Sequence, residues 1–264
     1  MKLSEKKIIL GVGFTIDPID KILEYIGQII IDGSQKVSVY TPNPEMLIYA
    51  KSHPQFKEIL SGAQIALPDG MGVVVAARVV GKSLKERIAG VDFMEKVIKM
   101  ASGDLQKIAK RPVSIGFIGG RDGVAEKSAI CLQKKHPGAH FFVYGRDVVP
   151  GSFKFQMSQL KYIPNEKGVM VQTPKRLDIL FVAFGFPRQE EWIRANLPHI
   201  PVTVAVGVGG AFDIFGGKIK RSPMILQKIG LEWSWRLALQ PWRIKRQIKL
   251  IQFPYIVIKE RLNK

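Results

Sequence analysis

Short apolar segments alternate with helix-patterned stretches along most of this chain, and that alternation restricts the fold more than any other feature. Apolar runs of about four to eight residues suit strands buried on both faces, and the stretches between them supply the crossovers that parallel strands require. The pattern predicts strands over 36–40, 64–67, 113–118, 140–144, 177–184 and 202–206. It predicts helices over 44–52, 71–80, 92–101, 124–135 and 190–197, the third opening on an Asp92/Glu95 capping box. The expected fold is α/β, a Rossmann-like, mainly parallel sheet flanked by helices, with a helical C-terminal appendage. The stretch 145–176 is less regular and reads as an inserted excursion.

The pattern changes after residue 220. Segments 224–240 and 242–253 read as helices separated by Pro241, which suits the first position of a new helix. The chain therefore divides into an α/β domain over 1–220 and an appendage over 221–264. Charge follows the same division. The net charge is +18, and the appendage carries ten Lys/Arg against two Asp/Glu, about four times the net charge density of the rest. Such a balance points to a polyanionic partner. A single cysteine, Cys131, excludes an internal disulfide and suits a reducing cytoplasm. No small-residue cleavage site follows the apolar run at 8–14, and no apolar run reaches the roughly 18 residues of a membrane span.

Ligands of open α/β sheets sit beyond the carboxyl ends of strands. Four predicted strand ends carry unusual polar residues. In Thr41-Pro42-Asn43-Pro44-Glu45, Asn43 suits a helix cap and Pro44 a first turn, but neither role requires Thr41. The alternative puts Thr41 and Asn43 at a ligand. In Leu67-Pro68-Asp69-Gly70-Met71-Gly72, Asp69 is either an ordinary turn residue or a base for a hydroxyl nucleophile. In Gly185-Phe186-Pro187-Arg188-Gln189-Glu190-Glu191, the acids suit a helix N-terminus, and Gln189 stands nearest the strand end. In Gly207-Val208-Gly209-Gly210-Ala211-Phe212-Asp213, the glycines allow close backbone approach, and Asp213 either reads a nucleotide or caps a helix. Gly116-Phe117-Ile118-Gly119-Gly120 departs from dinucleotide-fingerprint spacing, and tight strand packing accounts for it as well.

Metal binding has no sequence support. His53, His136, His140 and His199 lack ligand spacing, and no Asp-x-Asp triplet occurs. Neither a metal nor a cofactor is expected, and arginines are the available counterions for a diphosphate.

Seven segments in order resemble the WecG/TagA/CpsF glycosyltransferases. They are the four strand-end segments together with Arg87-Ile-Ala-Gly-Val-Asp92, Gly116-Phe-Ile-Gly-Gly and Gly230-Leu-Glu-Trp-x-x-Arg236. The resemblance implies inverting transfer of a sugar, most commonly N-acetylmannosamine, from a UDP-sugar donor to a lipid-linked saccharide acceptor, a polyprenyl-diphosphate sugar. It implies Asp69 as the general base, with Thr41 and Arg87 in the same catalytic group. Asn43 and Gln189 would line the substrate pocket, and Asp213 would contact the nucleotide. Arg236, Arg243 and Arg246 would reach back from the appendage to the diphosphate. The excursion at 145–176 is longer than the family pattern, which leaves acceptor specificity and homo-oligomer contacts open.

Ile244, Ile248 and Ile251 form an apolar stripe flanked by Lys245 and Lys249, with Trp233, Trp235 and Trp242 nearby. The stripe either lies on an anionic membrane surface or packs on the body with a solvated basic face. A lipid-linked acceptor favours the membrane, on its inner face. Two competing readings remain: an NAD(P)-dependent oxidoreductase, from the glycine-rich strand ends, and a basic nucleic-acid binder, from the net charge. The second leaves the strand-end polar residues without a role, so nucleic acid is not the expected partner.

Overall fold

The computed structural model describes residues 1–144, 148, 154–165 and 171–263. Strands β1 (Lys7–Ile9) and β2 (Val12–Phe14) make an antiparallel hairpin over the segment 8–14. The main sheet contains β3 (Val37–Tyr40), β4 (Ile65–Ala66), β5 (Ser114–Gly119), β6 (His140–Tyr144), β7 (Leu160–Ile163), β8 (Leu177–Ala183) and β9 (Val202–Gly207). Their order is β4-β3-β9-β8-β5-β6-β7, parallel throughout except for the β6–β7 pair. The predicted α/β fold with a mainly parallel sheet is therefore observed.

The helices are α1 (Ile19–Asp32), α2 (Pro44–Ser52), α3 (Pro54–Ser61), α4 (Met71–Val79), α5 (Gly90–Ser102), α6 (Asp104–Ala109), α7 (Val124–Lys135), α8 (Arg188–Asn196) and α9 (Ala211–Phe215). Strand side chains alternate between the two faces of the sheet, and helices cover both. Ile179 and Phe181 of β8 join a core with Phe117, Phe141 and residues of α1, α5 and α7. Leu180 and Val182 join the opposite core with Ile118, Phe142 and residues of α2, α3, α4 and α8. All seven residues of β8 are buried, and six of them are apolar; the exception, Asp178, is paired with Arg111 at 2.7 Å.

Four local expectations are corrected. Helix α5 begins at Gly90 with no side-chain cap, and Asp92 lies in its first turn, where its carboxylate pairs with Arg221 instead of capping. The described part of 145–176 is not irregular throughout: Leu160–Ile163 is the antiparallel edge strand β7. A 3-10 turn over Met157–Gln159 precedes it, and residues 145–147, 149–153 and 166–170 of the excursion lie outside the described residues.

The appendage segment 224–240 is two helices, α10 (Met224–Lys228) and α11 (Glu232–Leu239). Gly230 separates them at φ +79°, where any Cβ would strike Met71. Segment 242–253 is also broken. Pro241 opens a 3-10 turn over Pro241–Arg243, as its ring geometry favours, and α12 (Ile244–Gln247) and a second 3-10 turn (Ile248–Ile251) follow. Pro254 has no N–H to donate to Leu250, so the α-helical ladder restarts as α13 (Gln252–Leu262). Phe253 and Val257 of α13 are buried in the core that contains α2 and α4. The isoleucine stripe does not pack on the body: Ile244, Ile248 and Ile251 are 47%, 57% and 77% exposed. No helix among the described residues is long and apolar enough to cross a membrane.

Candidate functional site

Strands β4, β3, β9 and β8 are neighbours in the sheet. Their carboxyl ends carry the four polar segments singled out in the sequence, so the sheet order sets those segments side by side. They open into a cavity of about 600 Å³. Thr41, Asn43, Asp69, Arg87, Gln189, Arg236, Arg243 and Arg246 all line it. The N-termini of α2, α4 and α8 start directly after these segments, and aligned peptide dipoles there favour negative charge.

Local structure explains how each side chain is held. Asn43 caps α2 by accepting from the Met46 N–H at 3.1 Å, and Pro44 occupies the first turn. Thus Asn43 both caps the helix and faces the cavity. Thr41 is buried against Gly90 at the start of α5. The Asp69 N–H donates to the Pro42 carbonyl at 3.1 Å, and the Ile88 N–H donates to the Pro68 carbonyl at 2.9 Å. These bonds tie the Asp69 turn to the Thr41 segment on one side and to the Arg87 loop on the other. The Gly209 N–H donates to Gln189 Oε1 at 3.0 Å.

The appendage forms the rest of the wall. Arg87 pairs with Glu232 of α11 at 3.3 Å, and Arg246 of α12 pairs with Glu45 of α2 at 2.6 Å. Gln247 adds a 3.2 Å bond to Glu45, and the Arg246 guanidinium lies 5.0 Å from the Phe186 ring centroid, in cation–π range. Arg236 donates to the Gly210 carbonyl at 3.2 Å. Among the described residues, Arg236 and Arg243 form no ion pair. Burial, with Arg236 and Arg246 beside it, pushes the Arg243 guanidinium below its ordinary value. Clustered cations without matching carboxylates fit an anionic ligand.

Asp69 is half-buried at the cavity floor. Desolvation is the main influence on it, opposed by Arg87, reinforced by Glu232 and opposed by Arg236 and the Gly90 N–H; the result is a carboxyl pushed up to about 6. Glu190, by contrast, is fully buried behind the cavity wall. Desolvation pushes it up to about 8, against a hydrogen bond from Gln189.

Asp213 is the one predicted site residue outside the wall. It lies in the first turn of α9, where its carboxylate and the Arg236 guanidinium both flank Gly210, and it neither lines the cavity nor caps the helix. The weak glycine motif at 116–120 does not line the cavity either. A Cβ on Gly116 would approach Leu177 to 2.5 Å, so strand packing accounts for that residue. Sequence reasoning passed over Glu45 and Glu232. Glu232 carried a signal, being one of only two acids in a strongly basic segment. Among the described residues no group of three His, Cys, Asp or Glu side chains is placed to hold a metal ion.

An open sheet that gathers a carboxyl group of raised pKa, three helix N-termini and unpaired arginines at its strand ends defines an α/β enzyme with a pocket for an anionic substrate. The sequence pattern of the "Glycosyl transferase WecG/TagA/CpsF family" matches residues 8–264. The N-acetylglucosaminyldiphosphoundecaprenol N-acetyl-beta-D-mannosaminyltransferase of Bacillus subtilis (strain 168) is 30% identical over 244 residues, covering 92% of this chain and 87% of its own. The enzyme of the same name from Staphylococcus aureus (strain MW2) is 31% identical over 257 residues, covering 96% and 92%. The chain belongs to the WecG/TagA/CpsF family and is a glycosyltransferase. Neither the oxidoreductase nor the nucleic-acid reading gains support from these relatives.

Proposed function

We propose that this protein transfers N-acetylmannosamine from a UDP-sugar to a polyprenyl-diphosphate-linked N-acetylglucosamine, in the synthesis of a cell-surface polymer such as the teichoic acid linkage. The observation that carries the reading is the presence, in one cavity, of the Asp69 carboxyl with Arg236 and Arg243, neither of which forms an ion pair among the described residues. Asp69 accepts the proton of the acceptor hydroxyl as that oxygen bonds to the anomeric carbon, and the sugar's bond to UDP breaks. The charge developing on the leaving diphosphate is met by Arg236, Arg243 and Arg246 and by the helix N-termini, without a metal ion. Thr41 and Arg87 hold the acceptor beside Asp69, while Asn43 and Gln189 line the sugar and nucleotide path. A carboxyl of about 6 is mostly ionised at neutral pH and still basic enough to take a proton in the transition state.

The appendage, residues 221–264, is proposed to dock on the anionic inner face of the cell membrane, where a lipid-linked acceptor resides. Support comes from the outward isoleucine stripe, from exposed Trp233 and Trp242, and from Leu250 and Ile251 on the cavity rim. An apolar surface thus runs from the stripe to the cavity mouth, with Lys245 and Lys249 exposed beside it. The test is UDP release from a panel of UDP-sugars with a short-chain lipid-diphosphate-N-acetylglucosamine acceptor, with and without EDTA. Turnover with UDP-N-acetylmannosamine in EDTA is expected. Preference for another donor would overturn the sugar assignment, and strict need for added Mg²⁺ or Mn²⁺ would overturn the arginine account.

A further inference from the structure

Two adjacent acids open α8, but they face opposite ways: Glu191 is exposed, whereas Glu190 is fully buried against β9. The exposed acid suits the helix dipole. The buried one costs free energy wherever it is charged, because no cation pairs with it among the described residues. Its Oε1 accepts from Gln189 Nε2 at 2.7 Å, and its Oε2 has no partner among those residues. The other end of the same Gln189 amide, Oε1, accepts from the Gly209 N–H at 3.0 Å. A Cβ on Gly207 would lie 3.0 Å from Gln189 Nε2 and 3.4 Å from Glu190 Oε1, so the β9 backbone closes directly over this pair. Tyr40 of β3 locks the helix end by donating from its hydroxyl to the Glu190 carbonyl at 3.2 Å.

A side-chain amide has an acceptor end and a donor end of nearly equal shape, so packing alone does not choose between them. The two neighbours together do: the Gly209 N–H can only donate, and a Glu190 oxygen accepts at the opposite end. We propose that Glu190 is a positioning residue for the cavity: by accepting from the Gln189 amide it fixes which end of that amide meets Gly209, and so holds the 207–210 turn in place. The proposal rests on the glycosyltransferase reading only for what the turn then contacts, since Gln189, Gly209 and Gly210 line the cavity and Glu190 does not. The acid performs this task un-ionised at neutral pH. Burial is the reason, and Tyr40 on β3 and Glu191 on its own helix are the titratable groups that act with it. Ionisation would leave a buried charge with no cation beside it and only the Gln189 amide and its own backbone N–H as donors.

The test is amide hydrogen exchange at Gly209, followed by ¹⁵N NMR on the full chain, with UDP binding measured in parallel. Glu190→Gln keeps an acceptor oxygen in place, and Gly209 should remain protected as in the wild type. Glu190→Leu keeps the bulk and removes the acceptor, and Gly209 should exchange about tenfold faster while Val204 in β9 is unchanged. UDP should bind about tenfold more weakly to Glu190→Leu and normally to Glu190→Gln. Above pH 8 the wild type should lose Gly209 protection relative to Glu190→Gln, a comparison that stands even where Glu190→Leu fails to fold. Unchanged Gly209 protection in a folded Glu190→Leu protein, or identical behaviour of the wild type and Glu190→Gln at pH 9, would overturn the proposal. Failure of the wild type to bind UDP would instead count against the donor reading, and the exchange result would still decide the role of Glu190.

Discussion

Replacing Asp69 with asparagine removes a charge from the cavity floor and leaves its shape nearly unchanged. In the folded protein this carboxyl sits at about 6, against an ordinary 3.8. The folded state therefore binds more protons than the unfolded chain between those values, and stability falls as pH rises through that window. Below the lower value both states are protonated, and the acid costs nothing relative to an amide. Above the upper value the full penalty persists, at most about 3 kcal/mol for a difference of this size at 1.4 kcal/mol per pH unit. Asparagine carries no such penalty. Asp69→Asn should therefore melt with the wild type near pH 4 and above it at pH 7.5, by about 2–4 °C for each kcal/mol regained in a domain this large. Turnover should fall by about 10²–10⁴-fold if the carboxylate is the base. Thermal melts at the two pH values and the UDP-release assay supply both readings from one preparation. A variant that melts at or below the wild type at pH 7.5, or that keeps turnover within tenfold, would refute the reasoning.

Three other outcomes are expected. Glu232→Gln removes a negative neighbour that raises Asp69 and releases Arg87, which lowers it, so the acid limb of the pH–rate profile should move to lower pH; a shift upward would contradict the assigned electrostatics. Arg243→Ala deletes an unpaired cavity cation, and isothermal titration should show UDP affinity reduced about tenfold or more, with folding unchanged by circular dichroism. The double change Trp242→Glu with Ile248→Glu alters exposed residues off the cavity wall; it should abolish flotation with anionic vesicles while UDP binding stays within about twofold, and persistent flotation would exclude this face as the membrane contact.

How much was legible in advance follows from what is local. Strands β3, β5, β6, β8 and β9 and helices α2, α4 and α7 could be read within a residue or two, because a strand buried on both faces must be an apolar run with turn residues at its ends. Helix α1 was not anticipated, although Ile19, Ile22, Ile26, Ile29 and Ile30 recur at helical spacing and are all buried. The two-residue edge strand β4 lies inside the strand expected over 64–67, whereas the proline-bounded α3, which follows α2 with one residue between them, was not anticipated, because its eight residues give a short window for periodicity. The polar strand ends were visible one by one. Their convergence was not, because it depends on the order β4-β3-β9-β8, which seats β9, the last strand of the chain, between β8 just before it and the far earlier β3. Glu190 was invisible for the opposite reason: an acid in a first helical turn has an ordinary explanation, and only the fold shows that this one turns inward.

The long reach of the appendage has a consequence for how the enzyme responds to heat. The Glu45–Arg246 pair joins residues 201 positions apart, and the chain between the sheet and α13 contributes the cavity's unpaired arginines. Its buried apolar anchorage is Phe253 and Val257, two side chains worth about 1.5–3 kcal/mol each, joined by the ion pairs Arg87–Glu232, Arg221–Asp92 and Arg246–Glu45, whereas the sheet is secured by two extensive cores. Detachment of the appendage is thus a sub-global opening of much lower free energy than unfolding of the sheet. The expected outcome is that turnover is lost on warming before the sheet unfolds and returns on cooling, which an activity melt run beside a circular-dichroism melt would check. Loosening the α13 anchor, as in Phe253→Ala, should therefore lower the temperature at which turnover is lost more than the temperature at which the sheet unfolds.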